Sequence, residues 1–311
     1  MTETVSYTAD EVAKILRISR FTVYKMIKRG DLSVYRIGRT MRIEAPELDH
    51  YIIKSKAASF EEPSLAETTS TDLSVAQDSM ILCGQDIILD VLAIHMGKLM
   101  PNIRVFRNSM GSIDGLLALY RKTANAVTCH LWDSDSDTYN LSYVRRLLPG
   151  HRTMIINLIY RTEGFYVAKG NPKNILNWHD LTKPDVVFVN RECGSGARVL
   201  LDEQLHSANI DRHDIHGYEQ EEMSHLAVAS YVARGEADVG LGIEKVALQV
   251  RELDFIPLHK ERYDLVIRKE DETKPQFQAL FAVLRSSKFY DEISGMGGYD
   301  LSHTGQIMAE T

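Results

Sequence analysis

Beyond residue 79, short apolar runs alternate with longer segments that repeat apolar residues at helical spacing. Runs such as SMILCG and VVFVN favour buried strands, whereas segments such as DIILDVLAIHMGKL favour helices. Predicted strands cover 79–84, 103–106, 126–131, 186–190 and 237–241, and predicted helices cover 86–99, 112–121, 197–208 and 225–234. Strands that alternate with helices predict an α/β region with a mainly parallel sheet, and more than one sheet at this length.

The first 30 residues show a different pattern, that of two short helices. Thr8 and Glu11 have the spacing of a capping box, and the apolar stripe after them ends near Arg17. Ser19 can cap a second helix, which Gly30 ends. This arrangement predicts a helix-turn-helix, whose second helix enters the major groove of DNA. The inward positions of that helix are predicted to be Val23, Met26 and Ile27. The positions predicted to face DNA are Arg20, Thr22, Lys25 and Arg29.

A hairpin with a cationic tip is predicted to follow the second helix. Residues 33–43 (SVYRIGRTMRI) alternate apolar and polar positions around a central glycine, as two antiparallel strands would. The arginines of this wing suit contacts with phosphates or the minor groove: Arg36, Arg39 and Arg42. The segment EAPE at 44–47 then opens a third helix. A basic helical bundle that mediates dimerisation is the alternative to a DNA-binding head.

The charge distribution separates this head from the rest of the chain. The 311 residues include 36 Lys and Arg against 43 Asp and Glu, a formal charge of −7, which taken alone argues against nucleic-acid binding. Residues 1–57 hold 11 basic and 7 acidic residues, a net +4, and the others hold 25 and 36, a net −11. Only the head therefore has the charge that DNA binding needs.

Composition also predicts the domain boundaries. Residues 58–79 are rich in Ser, Thr, Glu and Ala, which is typical of a flexible linker. We therefore predict a DNA-binding domain at 1–57 and an α/β ligand-sensing domain at 80–311. Three cysteines without CxxC spacing exclude a disulfide framework and a Cys-rich zinc site. The absence of an apolar signal core or a membrane-spanning run predicts a cytoplasmic protein.

Four predicted strands run into turns that open helices, and these turns are the candidate ligand site. A helix N-terminus presents unpaired N–H groups and a positive dipole end, so it can bind an anion without a large side-chain charge. Several such termini around one crevice would bind a small oxyanion. The predicted ligand-binding residues are Gln85, Asp86, Ser109, Gly111, Ser112, His130, Arg191, Gly194, Ser195, Gly196, Ala197, Arg198, Ser224 and His225.

Several of these candidates have a structural alternative. The turn flanked by Arg191 and Arg198 is the sharpest, although a GSG turn alone can simply start a helix. His130 can donate to an anion or be a structural histidine. Arg161 can contact a ligand or form an ion pair between lobes. The cysteines can be buried apolar residues or a thiolate sensor: Cys83, Cys129 and Cys193.

The residues of the head carry a family resemblance. The run YTADEVAKILRISRFTVYKMIKRGDLSVYRIGRTMRI, within 7–51, resembles the excisionase-type, MerR-related winged helix-turn-helix. The order of helix, turn, helix, glycine and wing arginines is specific to this type of domain. The resemblance implies DNA binding by the second helix and the wing.

The body resembles the periplasmic-binding-protein-like domain that is found fused to such heads. The resemblance is carried by stretches that include GSIDGLLALYR, VNRECGSGARVLLDEQL and HLAVASYVARGEADVGLGIEK. It implies a two-lobed α/β clamp of the type II transport-binding fold, with chain crossings near 157–160 and 257–263. One lobe would comprise 80–157 and 262–311, and the other 160–257.

The same resemblance bears on the ligand. Related domains resemble molybdate- and tungstate-binding proteins, and RECGSGAR is similar to the anion-holding turns of oxyanion receptors. The first turn departs from that pattern, because it is Gly84-Gln85-Asp86 rather than Ser-rich, and an inward Asp86 would repel an anion. This departure leaves room for a ligand that carries a hydrogen-bond donor, which Tyr139 and Glu222 could contact.

These observations favour a ligand-responsive transcriptional regulator. It would be a homodimer that binds a double-stranded DNA operator and a small anionic effector, such as molybdate or tungstate. The alternative is the same architecture with an organic anion or a molybdenum-cofactor-related molecule. A third hypothesis is an enzyme on the clamp fold, but no nucleophile–base motif supports catalysis. No cofactor besides the oxyanion, no metal site and no membrane contact is predicted.

Overall fold

Two units make up the chain, Met1–Asp72 and Leu73–Thr311. The structure is a computed structural model that describes residues 6–16, 23, 26–27, 32, 34–37, 40–48 and 79–311. The predicted linker at 58–79 lies outside these ranges, apart from its last residue. Within the described ranges, no helix combines the length and the apolar character that crossing a membrane requires.

The first unit contains a small sheet and an amphipathic helix. Strand β1 (Ser6–Tyr7), helix α1 (Ala9–Leu16), strand β2 (Tyr35–Ile37) and strand β3 (Thr40–Glu44) follow one another, and the sheet order is β1-β3-β2 with antiparallel pairing. The predicted capping box forms at the start of α1. The N–H of Thr8 donates to Glu11 Oε2 over 2.7 Å, and the N–H of Glu11 donates to Thr8 Oγ1 over 3.3 Å.

Apolar side chains of the first unit pack into one core. Val12 of α1 and Ile43 of β3 are buried there, together with Val23 and Met26. The last two are positions predicted to face inward from the second helix, and Ile27 is partly buried against the same core. These three side chains therefore lie on the side that the sequence pattern predicts.

The second unit alternates strands with helices. In chain order its strands are β4 (Ser79–Cys83), β5 (Arg104–Asn108), β6 (Ala126–Cys129), β7 (Trp132–Asp133), β8 (Thr138–Tyr139), β9 (Thr153–Ala168), β10 (Phe188–Arg191), β11 (Glu221–Glu222), β12 (Val239–Ile243), β13 (Leu253–Arg268) and β14 (Ile307–Glu310). Its α-helices are α2 (Ile88–Leu99), α3 (Ser112–Tyr120), α4 (Leu141–Leu147), α5 (Gly196–Ser207), α6 (His225–Ala233), α7 (Glu244–Ala247), α8 (Pro275–Leu284) and α9 (Ser287–Met296). The elements predicted beyond residue 79 are confirmed, with ends that differ by at most two residues.

One mixed sheet runs through this unit in the order β11-β10-β12-β9-β13-β6-β4-β5, and β14 also pairs with β9. Parallel pairs join β5, β4 and β6 at one end and β11, β10 and β12 at the other. Between them lie β9 and β13, which are 16 residues long and pair antiparallel. The prediction of a mainly parallel sheet was wrong for this centre, because the two long strands join two parallel halves into one sheet.

The two long strands divide the unit into two lobes. β9 pairs with β14 through 154–156 in the first lobe and with β12 through 163–167 in the second. Between these stretches β9 and β13 continue as a two-stranded ribbon from one lobe into the other. The pairing of β13 in this ribbon shifts register between Pro257 and His259 and again between Tyr263 and Asp264. The chain crossings predicted from the resemblance fall in this ribbon.

Each lobe has an apolar core of its own. In the first lobe Leu82 of β4 packs with Phe277 and Phe289 of the C-terminal helices, and all three are fully buried. In the second lobe Phe188 of β10 packs with Leu201 of α5. Trp132 and Tyr139 of the first lobe also pack against the second core, and the space left between the lobes can serve as a binding cleft.

Candidate functional site

A cavity of about 220 Å³ lies between the two lobes, where three helices begin. The start of α3 lines it from the first lobe, and the starts of α5 and α6 line it from the second. These helices are 9, 12 and 9 residues long. Three helix dipoles therefore point their positive ends at one space between the lobes, which favours negative charge there.

Three serines at these helix starts can donate hydrogen bonds into the cavity. Ser195 and Ser224 are N-caps, and their Oγ atoms accept from the backbone N–H three residues on, over 3.3 and 3.0 Å. Ser112 Oγ accepts from the backbone N–H of His130 over 3.4 Å. Because a hydroxyl is a donor as well as an acceptor, each proton can point to a ligand.

The GSG turn brings the two lobes into contact. Gly194 has a φ of +84°, which favours glycine. A Cβ on Gly196 would lie 2.3 Å from Nδ1 of His130, so the imidazole packs directly on the glycine backbone. The N–H of Ile113 in the first lobe donates to the carbonyl of Gly194 over 3.0 Å. The turn therefore starts a helix and also closes the cleft.

A buried arginine and three carboxylates form the floor of the cleft; we call Asp86, Arg161, Glu163 and Glu261 the Arg161 cluster. None of the four is more than 5% exposed. Arg161 Nη1 donates to Asp86 Oδ2 over 2.5 Å, and its Nε donates to Glu261 Oε2. Asp86 also accepts from the Tyr299 hydroxyl over 2.8 Å and from the backbone N–H two residues on over 2.9 Å. The expected repulsion by Asp86 is thus offset by the charge of Arg161.

Glu163 is the unpaired member of this cluster. Burial raises the pKa of its carboxyl to about 7, although Arg161 and Arg191 act in the opposite direction. Its Oε1 atom has no hydrogen-bond partner within the described part of the chain. The floor of the cleft therefore holds a carboxyl group that titrates near neutral pH.

A second buried arginine ties the two lobes together; we call Gln85, Arg191 and Glu192 the Arg191 cluster. Arg191 Nε and Nη2 donate to the two oxygens of Glu192 over 2.7 and 2.8 Å. Nη2 also donates to Gln85 Oε1 over 2.5 Å, and Gln85 Nε2 donates back to Glu192 over 3.0 Å. Gln85 belongs to the first lobe, so these hydrogen bonds cross the cleft.

Two neutral histidines face the cavity, His130 from the first lobe and His225 from the second. Burial lowers the pKa of both imidazoles well below the usual value, and the charges of Arg161 and Arg191 lower it further. Nδ1 of His225 is buried without a hydrogen-bond partner in the described ranges, whereas Nδ1 of His130 contacts Glu261 Oε1. A neutral imidazole has one donor and one acceptor nitrogen, so each ring can contribute either to a ligand.

The structure brings most of the predicted ligand-binding residues to this cavity. Those that line it are Gln85, Asp86, Gly111, Ser112, His130, Ser195, Gly196, Ser224 and His225. Those that do not line it are Ser109, Arg191, Gly194, Ala197 and Arg198. Ser109 is exposed. Arg198 lies 4.1 Å from the ring centroid of Tyr218 and donates to Glu221, so its charge is used within the second lobe.

Asn140, which follows Tyr139 in the chain, and two of the three cysteines are buried in the fold. Asn140 Oδ1 accepts from the N–H of Leu131 over 2.7 Å, and its Nδ2 donates to Asp264 over 2.8 Å. It therefore holds its loop together. Cys83 and Cys129 are buried, and burial raises the pKa of both thiols, to about 11 for Cys83. A protonated thiol is a poor sensor, so these two favour the structural alternative.

Several residues that line the cavity are not predicted from the sequence, among them Thr128, Tyr263 and Tyr299. The hydroxyls of Thr128 and Tyr263 lie 2.6 Å apart, and the Arg161 guanidinium lies 4.3 Å from the Tyr263 ring centroid. Tyr263 falls in a predicted chain crossing, which is a usable signal. Tyr299 reaches the site from a distant part of the chain.

The predicted DNA-facing residues lie mostly outside the described ranges, which exclude Arg20, Thr22, Lys25, Arg29 and Arg39. The two positions that are described, Arg36 and Arg42, lie on neighbouring strands β2 and β3. Arg42 Nη1 donates to the carbonyl of Ser6 over 3.5 Å. The antiparallel pairing of these strands agrees with the predicted wing hairpin.

Comparisons with known proteins match both parts of the chain. Residues 6–55 match the model of a helix-turn-helix domain, and residues 93–285 match the model of a PBP superfamily domain. The uncharacterised protein YvgK of Bacillus subtilis (strain 168) is 38% identical over 315 residues, with 100% of both chains covered.

Solved structures share the fold of the second unit. An ABC-type phosphate transport receptor from Vibrio cholerae superposes with a TM-score of 0.50 at 18% identity, covering 71% of this chain and 99% of that one. EhuB in complex with hydroxyectoine superposes with a TM-score of 0.52 at 12% identity, covering 74% and 92%. At these identities the likeness concerns the fold alone.

Proposed function

Because the chain belongs to the PBP superfamily and carries a helix-turn-helix domain at residues 6–55, we propose that it is a DNA-binding regulator whose two-lobed domain binds a small anion. The families predicted for the two parts of the chain are confirmed by these matches. A helix-turn-helix domain joined to a PBP-like domain supports a ligand-binding regulator of DNA rather than an enzyme. The finer proposal is that the anion is a tetrahedral oxyanion such as molybdate or tungstate.

The convergence of three helix N-termini on one cavity carries this proposal. Backbone N–H groups and the hydroxyls of Ser112, Ser195 and Ser224 can surround an anion with donors that need no formal charge. This matters because the residues beyond 57 have a net charge of −11, which repels anions at long range. Local donors must therefore supply the affinity.

An organic anion is the second candidate, and the apolar part of the cavity wall favours it. Met110, Leu226, Ile243 and Val246 line the cavity beside the polar groups. The cavity of about 220 Å³ has room for more than one water molecule. A carboxylate with a short apolar part would fill this space more completely than a bare oxyanion.

Ligand binding would act through the contacts that cross the cleft. A ligand held by both lobes stabilises the closed arrangement, in which Gln85 meets Arg191 and Ile113 meets Gly194. We propose a homodimer, because one head of this size reaches only a few base pairs and paired half-sites supply specificity. Closure would then change how the two heads of a dimer engage their operator.

Calorimetric titration of the full chain with molybdate, tungstate, sulfate and phosphate tests the ligand. We expect one of them to bind with one site per chain, and Ser224→Ala to weaken it by about tenfold, as for a hydrogen bond to a charged group. Ser207→Ala is the matched control, because this serine is exposed at the far end of α5. If none of the four anions gives heat and mass spectrometry finds a carboxylate in the purified protein, the organic anion becomes the supported ligand.

Gel-shift titration with the operator tests the DNA-binding head. Replacing Arg20 and Lys25 by Ala should weaken binding by at least about tenfold and reduce its salt dependence, because two phosphate or base contacts are lost. Lys122→Ala, an exposed lysine of the second unit, is the control. Equal affinity of the double variant and the wild type would contradict DNA binding by the second helix.

A further inference from the structure

Three potential metal ligands lie together in the floor of the cleft. His130 follows β6, Glu163 is on β9 and Glu261 is on β13, and these strands are neighbours in the order β9-β13-β6. One ligand atom of each side chain lies within 4.8 Å of those of the other two. The His130 side chain is 11% exposed and both glutamates are fully buried. Rigid neighbouring strands therefore position all three.

The atoms that converge are not arranged as ordinary hydrogen bonds. Glu163 Oε1 is buried and has no hydrogen-bond partner among the described residues. His130 Nδ1 and Glu261 Oε1 are in direct contact, closer together than hydrogen-bonded atoms lie. Buried polar atoms nearly always have a partner in native proteins. An unpartnered oxygen directed at this close pair indicates one ligand shared by the three side chains.

Charge indicates the sign of that ligand. The cluster combines three carboxylates with a single guanidinium, and Arg161 already pairs with Asp86 and with Oε2 of Glu261. When all the carboxyls are ionised, two negative charges are left in a buried space, which is costly without a counter-charge. The nearby Arg191 offsets them only in part, because it also pairs with Glu192. A divalent cation would balance the cluster.

We propose that His130, Glu163 and Glu261 form a binding site for one divalent transition-metal ion, such as Zn²⁺ or Mn²⁺. One imidazole nitrogen and two carboxylate oxygens suit such ions. Ligand atoms around one ion lie up to about 4 Å apart, so small side-chain rotations would close the observed spacing. Arg161 would orient Glu261 from behind, as outer partners of metal ligands commonly do.

The proposed ion would face the anion cavity. His130 lines that cavity, and three protein ligands leave a coordination position open to it. The proposed metal site does not require a bound anion, so its test does not depend on the identity of the effector. The sequence gives no spacing signal for it, since its ligands come from three separate strands.

Metal binding to the full chain, stripped with a chelator and dialysed, tests the proposal. Calorimetric titration with ZnCl₂ and MnCl₂ should show one site per chain with a higher affinity than any further sites. The melting temperature should rise when this site is filled. Glu163→Gln and Glu261→Gln should each weaken this ion by at least about tenfold, given the losses seen even for outer partners. Glu192→Gln, a buried carboxylate of the Arg191 cluster, is the matched control and should keep the ion.

Bound Co²⁺ provides a readout specific to the ligand set, since its visible absorption reports coordination geometry. The wild type and Glu192→Gln should show the same Co²⁺ spectrum, and Glu163→Gln should lose it. Glu163→Gln is the primary variant because Oε1 has no partner to lose, and circular dichroism checks its fold. Absence of a stoichiometric ion from the wild type, or equal affinity in the wild type and both glutamine variants, would overturn the proposal.

Discussion

The charges of the two buried arginines at the cleft, Arg161 and Arg191, are neutralised in different ways. Arg191 is matched by the single carboxylate of Glu192, and Gln85 completes its hydrogen bonds from the opposite lobe. Arg161 lies among three carboxylates, of which Asp86 and Glu261 pair with it and Glu163 does not. The Arg191 cluster is therefore balanced, whereas the Arg161 cluster has an excess of negative charge.

The difference shows that an arginine near a cavity does not by itself make an anion site. The turn flanked by Arg191 and Arg198 was the sharpest candidate from the sequence, yet the Arg191 guanidinium is occupied by protein groups and does not line the cavity. Arg161 lines the cavity but is surrounded by acids. The proposed anion site therefore relies on the helix starts, and the proposed cation site on the acidic floor.

Removal of each arginine should give the largest contrast. Arg161→Met leaves three buried carboxylates without a counter-charge, so we expect a loss of about 3–5 kcal/mol in the free energy of unfolding. Arg191→Met leaves only Glu192, which is 9% exposed and can be hydrated, so we expect about 1–3 kcal/mol. Urea denaturation followed by tryptophan fluorescence measures this, because both tryptophans, Trp132 and Trp178, lie in the second unit. Equal losses would mean that the two clusters are balanced alike.

The second contrast between the two clusters should be the pH dependence of stability, which Glu163 affects in the Arg161 cluster. Burial raises its folded-state pKa to about 7, above the unfolded value, so its contribution to stability is complete at low pH and is lost as the pH rises through 7. In metal-free protein, Glu163→Gln should therefore be more stable than the wild type at pH 8, by on the order of 3 kcal/mol, and similar to it near pH 4.5. Glu192→Gln removes the partner of Arg191 and should be less stable than the wild type at pH 8. Melting curves recorded between pH 4.5 and 8 measure these stabilities. The same change of melting temperature with pH in both variants would contradict the prediction.

A methyl group added at Gly196 should have a smaller effect on stability. Gly196→Ala places a Cβ where the His130 ring lies, 2.3 Å from Nδ1, so we expect a loss of about 1–3 kcal/mol from overpacking. Gly97→Ala is the control, since no atom lies within 4 Å of a Cβ there and the residue is inside α2. That change should stabilise the protein by about 0.5–1 kcal/mol. A neutral Gly196→Ala would show that His130 can move away from the turn.

The smallest expected effect concerns the link between the lobes. Gln85→Met removes hydrogen bonds from the Arg191 cluster to the first lobe, and we expect a loss of about 1 kcal/mol. Amide hydrogen exchange should become faster at 84–86 and 191–192, on both sides of the cleft. Gln278→Met breaks a hydrogen bond to the carbonyl of Glu272 within one lobe and should leave those amides unchanged. Unchanged exchange in Gln85→Met would mean that other contacts hold the lobes closed.

How far the sequence could predict this protein depends on the distance over which each feature is encoded. The capping box of Thr8 and Glu11 and the helix starts at Ser195 and Ser224 depend on neighbours three residues away, and the sequence predicts them. The partners of Arg161 lie 75 and 100 residues from it in the chain, so local patterns do not reveal them. The positions of the cleft residues follow from the fold alone.

The long strands show the same limit. Apolar residues fill both ends of β9, but Arg161 and Glu163 interrupt its middle, so the periodicity does not predict one strand of 16 residues. The resemblance to a two-lobed clamp predicts crossings there without predicting their form. Arg161 is tolerated at the centre of this strand because it pairs with Asp86 and Glu261 in the cleft.

The ribbon of β9 and β13 also limits the kind of motion that can carry a signal. Two hydrogen-bonded strands resist sliding, because a slip of one residue would turn each side chain to the opposite face. They can bend and twist where the register shifts, between Pro257 and His259 and between Tyr263 and Asp264. If the lobes open and close as proposed, the ribbon therefore favours a rotation about its axis over a sliding of one lobe past the other.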